Sequence, residues 1–85
     1  MALKHYQSLQ GFVAQKRYAE ADALAIKARE DAYGKKNILL YHLDRGLLLH
    51  LAGRYADSNA AFEEAKTVAA DLFTRSVTAE AATLL

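Results

Sequence analysis

The side chains of this chain that could do chemistry are three histidines and a few serines. His42 and His50 are eight residues apart, about two turns along one predicted helix, and His5 lies on another. That spacing is too wide for one small metal ion without further ligands, and the chain has no cysteine. No serine has the Gly-x-Ser-x-Gly context of a nucleophile, and there is no glycine-rich phosphate loop. We therefore expect no metal, no cofactor and no enzymatic activity, and we expect His42 and His50 to lie partly buried at helix contacts.

The composition is that of one small folded domain. Hydrophobic residues make up 53% of the 85 residues and charged residues 25%, a balance typical of globular rather than disordered chains. The 11 basic and 10 acidic residues give a net charge of +1 without a basic cluster, which argues against nucleic acid as the main partner. Every apolar run is too short to cross a bilayer, so the sequence predicts no transmembrane segment.

Helices are predicted throughout the chain. It has no proline and four glycines, so the breaks between helices should be few and sharp. Apolar residues at spacings of three and four predict helices over about 2–15, 18–32 and 38–52, and a fourth from about residue 55. The third of these is the most apolar, so it should be the central helix with neighbours on several sides.

Two glycines and an asparagine mark the predicted helix ends. Gly34 and Gly53 follow the second and third helices, where a left-handed C-cap residue is expected. Asn37 is the predicted N-cap of the third helix.

The last 15 residues contain no glycine or proline to mark a break. Either the fourth helix ends near Arg75 and a short fifth helix covers about 76–84, or one helix reaches the end. Thr74 and Ser76 are modest helix formers and good caps, which favours the break and about five helices in total.

The chain contains an internal repeat. Residues 16–21 (KRYAEA) align with residues 53–58 (GRYADS) at an offset of 37. In the second copy, Gly46 and Ser58 are expected to let two helices approach closely, with Phe62 filling the groove beside them.

This pattern resembles the tetratricopeptide repeat, a helix-turn-helix unit of about 34 residues. The second copy, about 39–71, carries the matching residues Gly46, Leu49, Gly53, Tyr55, Ser58, Phe62 and Ala65. His42, Arg45 and Ala70 depart from the family, which usually has an aromatic residue, leucine and proline at those places. The first copy, about 2–34, is more degenerate.

The two copies carry different residue types at two aligned positions of the repeat. At the offset of 37, Leu9 takes the place of the small residue Gly46, and Ala25 takes the place of the aromatic Phe62.

The resemblance implies an all-α fold of antiparallel helical hairpins stacked as a short right-handed solenoid, which forms one domain over residues 1–85. It also implies that a protein or peptide binds on the face formed by the first helix of each unit. On that face lie Tyr6, Gln10, Val13, Leu40, Leu43, Asp44, Leu47 and His50. The lysine, asparagine and arginine that grip a terminal carboxylate in some members are absent there, so an apolar or aromatic partner surface is expected.

Asp44 and Arg45 are the only charged residues of the central helix. They either mark a binding groove, or form the solvated edge of the helix or a salt bridge to a neighbour.

The string from Leu39 to Ala65 also resembles the helical part of a group of bacterial lipoproteins with tetratricopeptide-like repeats. On that resemblance, the chain is a structural fragment of a larger envelope protein whose missing part carries the function. The full-length protein would then lie in the periplasm or be anchored to the outer membrane.

Two repeats are fewer than the three usually needed for a stable stack. We therefore expect a protein-interaction or assembly module that forms a homo-oligomer through exposed helix faces.

Overall fold

The structure is a computed structural model, which describes residues 3–84. All its regular elements are helical, and no strand occurs within that range, so the predicted all-α class is confirmed. The α-helices are α1 (Leu3–Ala14), α2 (Tyr18–Lys27), α3 (Ile38–Leu51) and α4 (Tyr55–Leu84), with a π-helical segment (Arg29–Tyr33) and a short 3-10 turn (Lys35–Asn37) between α2 and α3.

The turn after α3 is closed by a Schellman motif. The Gly53 N–H donates to the His50 carbonyl at 3.0 Å, and the Arg54 N–H donates to the Leu49 carbonyl at 2.9 Å. Gly53 has φ of +77°, a conformation that a side chain disfavours. The predicted role of Gly53 as a C-cap residue is therefore confirmed.

The turn after α1 has the same hydrogen bonds. The Lys16 N–H donates to the Val13 carbonyl at 2.9 Å, and the Arg17 N–H donates to the Phe12 carbonyl at 2.8 Å. Lys16 has φ of +58°, although it is not a glycine. The two turns thus share one geometry at the 37-residue offset found in the sequence.

The predicted second helix, about 18–32, is wrong in its last turn. The α-helix ends at Lys27, and the chain continues as the wider π-helical segment, in which the Gly34 N–H donates to the Arg29 carbonyl at 2.8 Å. Gly34 has positive φ, but its ψ of −174° lies outside the left-handed helical conformation that was predicted for this C-cap. Asn37 stands at the N-cap of α3, but its side chain donates to the Tyr33 carbonyl at 3.0 Å instead of capping the helix.

Helices α3 and α4 pack closely against each other. A Cβ added at Gly46 would lie 2.5 Å from the Phe62 ring, so only glycine leaves room for the ring in this position. The Ser58 hydroxyl, which is buried, donates to the Gly46 carbonyl at 2.7 Å. These contacts confirm the predicted close approach of Gly46 and Ser58, with Phe62 beside them.

The predicted break near Arg75, with a separate helix over about 76–84, is wrong. The helix α4 is continuous from Tyr55 to Leu84. The Thr74 hydroxyl donates to the Ala70 carbonyl at 3.0 Å, inside the same helix. Since this hydroxyl is satisfied by the preceding turn, it does not cap a new helix.

A core of buried side chains joins α1, α2, the π-helical segment and α3. Its members are Leu9, Ala21, Ala25, Tyr33, Tyr41 and Leu48. Between α3 and α4 lie the buried residues Leu49, Ala61 and Ala65.

The molecule is elongated. Its extents are 54 × 28 × 17 Å, and its radius of gyration is 15.2 Å, against roughly 12 Å expected for a compact chain of this length. The cause is α4, since all residues from 69 to 83 are exposed. Within the described residues, no helix is both long and apolar enough to span a membrane.

Candidate protein-binding groove

An apolar groove of about 340 Å³ lies between α1 and α3. We refer to it as the α1–α3 groove. It is lined by Tyr6, Leu9, Gln10, Val13, Ala14, Asp44, Leu47 and Leu48. Asp44 is the one charged residue in this lining, so the groove is an apolar channel with a single carboxylate.

Five of the eight residues that the sequence proposed for a partner-binding face meet in this groove. They are Tyr6, Gln10, Val13, Asp44 and Leu47. The other three lie outside its lining. Leu40 and Leu43 are exposed nearer the start of α3. The His50 ring packs beside Tyr55, with the ring centres 5.2 Å apart.

Four leucines of α3 form an exposed row that continues from the groove. They are Leu40, Leu43, Leu47 and Leu51, with exposed fractions between 37% and 54%. Their spacing of three and four places them on one side of the helix. We call them the leucine row. Four exposed leucines on one helix face are typical of a surface that another protein covers.

The Asp44 carboxylate is held in place by two tyrosines. The Tyr6 hydroxyl and the Tyr33 hydroxyl both donate to its Oδ2 atom at 2.8 Å. Tyr6 comes from α1 and Tyr33 from the end of the π-helical segment, so three separate elements fix the position of this carboxylate. Asp44 is therefore a fixed negative acceptor in the lining of the groove.

His5 completes this cluster beneath the groove. Its Nε2 atom lies 2.9 Å from the Tyr33 hydroxyl oxygen. Because Tyr33 has one hydroxyl proton and donates it to Asp44, His5 Nε2 must carry the hydrogen of its own bond to Tyr33. Burial lowers the pKa of His5, against the opposing charge of Asp44.

The two tyrosines are held in the neutral form. Burial, together with hydrogen bonding to Asp44, raises the pKa of Tyr6 to about 12. The same causes raise the pKa of Tyr33, which is almost fully buried. Neutral phenols remain donors to Asp44 throughout the neutral range, so the two tyrosines hold the carboxylate in position.

A salt bridge fixes α3 against α2. The Arg45 guanidinium donates to both carboxylate oxygens of Asp22, at 2.8 and 3.1 Å. Asp22 is buried and Arg45 is half-buried. Of the alternatives that the sequence left open for the two charges of α3, Arg45 thus forms a salt bridge to a neighbour, whereas Asp44 lies in the groove.

Sequence reasoning missed two residues of the cluster around Asp44. Tyr33 bonds to Asp44 from 11 residues away, His5 bonds to Tyr33 from 28 residues away, and no local pattern connects them. Both His42 and His50 were expected to be partly buried at helix contacts. His42 is half-buried, but His50 is exposed.

Within residues 3–84, no group of three or more histidine or acidic side chains could hold a metal ion.

Comparison with protein-family profiles, curated proteins and solved structures finds no match for this chain. The resemblances to tetratricopeptide repeats and to bacterial lipoproteins therefore stay predictions.

Proposed function

We propose that the chain is a non-enzymatic protein-interaction module of tetratricopeptide-like hairpins, which binds a helical segment and assembles with copies of itself through exposed helix faces. The observation that carries this proposal is the exposed leucine row beside the α1–α3 groove. An apolar surface that continues from one helix into a groove is the kind of site that receives the apolar face of another helix.

The repeat reading is supported by local geometry. Both hairpin turns use the same pair of hydrogen bonds, and each is followed by an ion pair of the same spacing. Arg17 pairs with Glu20 at the first turn, and Arg54 pairs with Asp57 at the second. Two hairpins with the same turn geometry at the 37-residue offset are consistent with two copies of one structural unit.

The chemistry of the bound segment follows from the groove. Leucine, valine and the tyrosine ring favour aliphatic side chains, whereas Asp44 favours one cationic donor. The segment that fits best is therefore an amphipathic helix with aliphatic residues on one face and a single arginine at its edge.

A synthetic amphipathic helix with leucine at heptad positions a and d and one arginine serves as the probe. Its binding is measured by fluorescence anisotropy against the chain and its variants. We expect Leu47→Asp to abolish binding, because it places a second carboxylate in the apolar groove. Asp44→Asn should weaken binding of this peptide and leave binding of a version with glutamine in place of the arginine unchanged.

Ile26→Asp is the matched control, since Ile26 is also an exposed aliphatic residue but lies on α2, outside the groove lining. Equal losses for Leu47→Asp and Ile26→Asp would contradict a site in the groove.

Self-association is tested on the chain alone by sedimentation equilibrium. We expect an oligomer that dissociates on dilution through the micromolar range, because the exposed helix faces are of modest size. A folded monomer at every concentration would contradict the assembly part of the proposal.

A further inference from the structure

The second half of α4 projects from the body of the molecule. Residues 69–83 are all exposed, and they include Leu72, Phe73 and Val77. Phe73 is 70% exposed, the highest value for an aromatic residue in the described range. Only the first part of this segment lies beside the π-helical segment. A helix of this length that packs against so little is only marginally stable in water, so a covering surface would stabilise it.

Phe73 lies on one continuous face of α4. At 100° per residue, five other residues between Phe62 and Glu80 lie within about 40° of it around the helix. We call these six residues the Phe73 face: Phe62, Lys66, Ala69, Phe73, Val77 and Glu80. Leu72 is rotated by about 100° from Phe73 and lines a different groove, which α4 shares with the π-helical segment.

The residues of the Phe73 face are arranged symmetrically about Phe73, with complementary side chains at equal distances before and after it. Lys66 lies seven residues before Phe73, and Glu80 lies seven residues after it. Ala69 and Val77 lie four residues before and after. Positions equally spaced about the centre therefore carry opposite charges, or one small and one larger apolar side chain.

We propose that two copies of the chain pair through this face, with their α4 helices antiparallel and a two-fold axis at Phe73. The proposal rests on the self-association in the proposed function and names the surface that performs it. Each Lys66 then lies opposite Glu80 of the second copy, and this pair occurs twice. The two Phe73 rings meet at the axis in an offset arrangement, and Ala69 makes room for Val77 of the other copy.

Parallel pairing lacks this complementarity. It would place Lys66 opposite Lys66 and Glu80 opposite Glu80, and like charges in such positions repel. Antiparallel pairing also keeps the packed helices α1 to α3 of one copy away from those of the other. Because α3 covers only the first half of α4, each bare second half lies beside the covered half of the other copy.

Charge reversal tests the pairing, measured by sedimentation equilibrium of the whole chain. Lys66→Glu leaves two carboxylates facing each other at both ends of the pair, and Glu80→Lys leaves two ammonium groups there. We expect each single variant to dimerise on the order of tenfold more weakly than the wild type. An equimolar mixture of the two variants should form a heterodimer as tight as the wild-type dimer, since every facing pair is again of opposite sign.

The controls change the net charge equally on the other side of the helix. Arg75→Glu matches Lys66→Glu, and Asp71→Lys matches Glu80→Lys, yet both residues lie about 160° from Phe73. We expect the dissociation constants of both controls to stay within about twofold of the wild type. Phe73→Ala should weaken the dimer more than either charge reversal, and circular dichroism of each variant reports whether the helix remains folded.

The outcomes separate this proposal from the one on which it rests. A wild-type monomer at all concentrations overturns both. A wild-type dimer that Lys66→Glu and Phe73→Ala leave unchanged overturns the pairing through α4 but keeps the self-association. A mixture of the charge variants that is no tighter than its components also overturns the antiparallel register.

Discussion

Gly46→Ala is the substitution whose effect depends most directly on the approach of α3 to α4. An alanine Cβ at this place would lie 2.5, 2.7 and 2.8 Å from three atoms of the Phe62 ring. Distances below about 3 Å require that the ring rotate or the helices separate. The Ser58 hydroxyl, bonded to the Gly46 carbonyl at 2.7 Å, resists that separation.

Two effects of opposite sign determine the result. Alanine in place of glycine inside a helix stabilises it by about 1 kcal/mol. Overpacking of a closed contact costs about 1 to 3 kcal/mol. Phe62 is 39% exposed and can move in part, so the middle of that range applies. We expect Gly46→Ala to lower the free energy of unfolding by about 1 kcal/mol, a fall of about 4 to 8 °C in Tm for a domain of this size.

Gly11→Ala is the matched control. Gly11 also lies inside a helix, but nothing stands within 4 Å of a Cβ added there. Only the gain in helix propensity remains, so this variant should be more stable than the wild type by about 1 kcal/mol. Urea unfolding followed by circular dichroism measures both variants.

The Phe62→Ala background completes the test. With the ring removed, Gly46→Ala should change sign and stabilise the chain by about 1 kcal/mol, which gives a coupling energy of about 2 kcal/mol between the two positions. If Gly46→Ala instead stabilises the wild-type chain as much as Gly11→Ala does, the tight contact with Phe62 is wrong.

Three further predictions concern the turns, the helix contact and the histidines. Lys16→Gly should raise the free energy of unfolding by about 1 kcal/mol in urea titrations, because it removes a left-handed conformation from a residue with a Cβ; a loss of stability would contradict the turn geometry. Ser58→Ala should lower it by about 1 kcal/mol through loss of the buried bond to Gly46, and an unchanged urea midpoint would contradict that bond. Burial lowers the pKa of both His5 and His42, so the folded chain binds fewer protons than the unfolded chain as the pH falls below 6.5. The free energy of unfolding should therefore have its highest value above pH 6.5 and decrease below that pH. A constant free energy of unfolding in urea titrations from about pH 7.5 to about pH 5.5 would refute this.

Features with local causes could be predicted from the sequence. The start of α2 and both ends of α3 follow from apolar spacing and from Gly53, whose φ is positive because the Schellman turn requires it. The contact between Gly46 and Ser58 could be predicted as well, since two small residues on facing helices indicate a close crossing.

Features with distant causes could not be predicted. The π-helical segment replaces the last turn of the predicted second helix, and its final residue, Tyr33, donates to Asp44. The widened backbone and the hydrogen bond come together only in the folded chain, so neither has a signal in the local sequence. The groove itself was found in part, because the repeat pattern identified the helices that form it but not the partners of Asp44.

The two hairpins have the same turn geometry, but the larger and the smaller side chain at the aligned positions are on opposite helices. In the first hairpin the larger residue is Leu9 on the first helix, and the smaller is Ala25 on the second. In the second hairpin glycine is on the first helix, Gly46, and the large ring is on the second, Phe62. A helix pair needs a certain total volume between its axes, and either helix can supply it. The aligned positions therefore differ one by one, whereas each hairpin carries one larger and one smaller residue of the pair. Gly46→Leu combined with Phe62→Ala tests that exchange directly, because it moves the larger side chain from α4 to α3. A double variant that is no more stable than Gly46→Leu alone would contradict it.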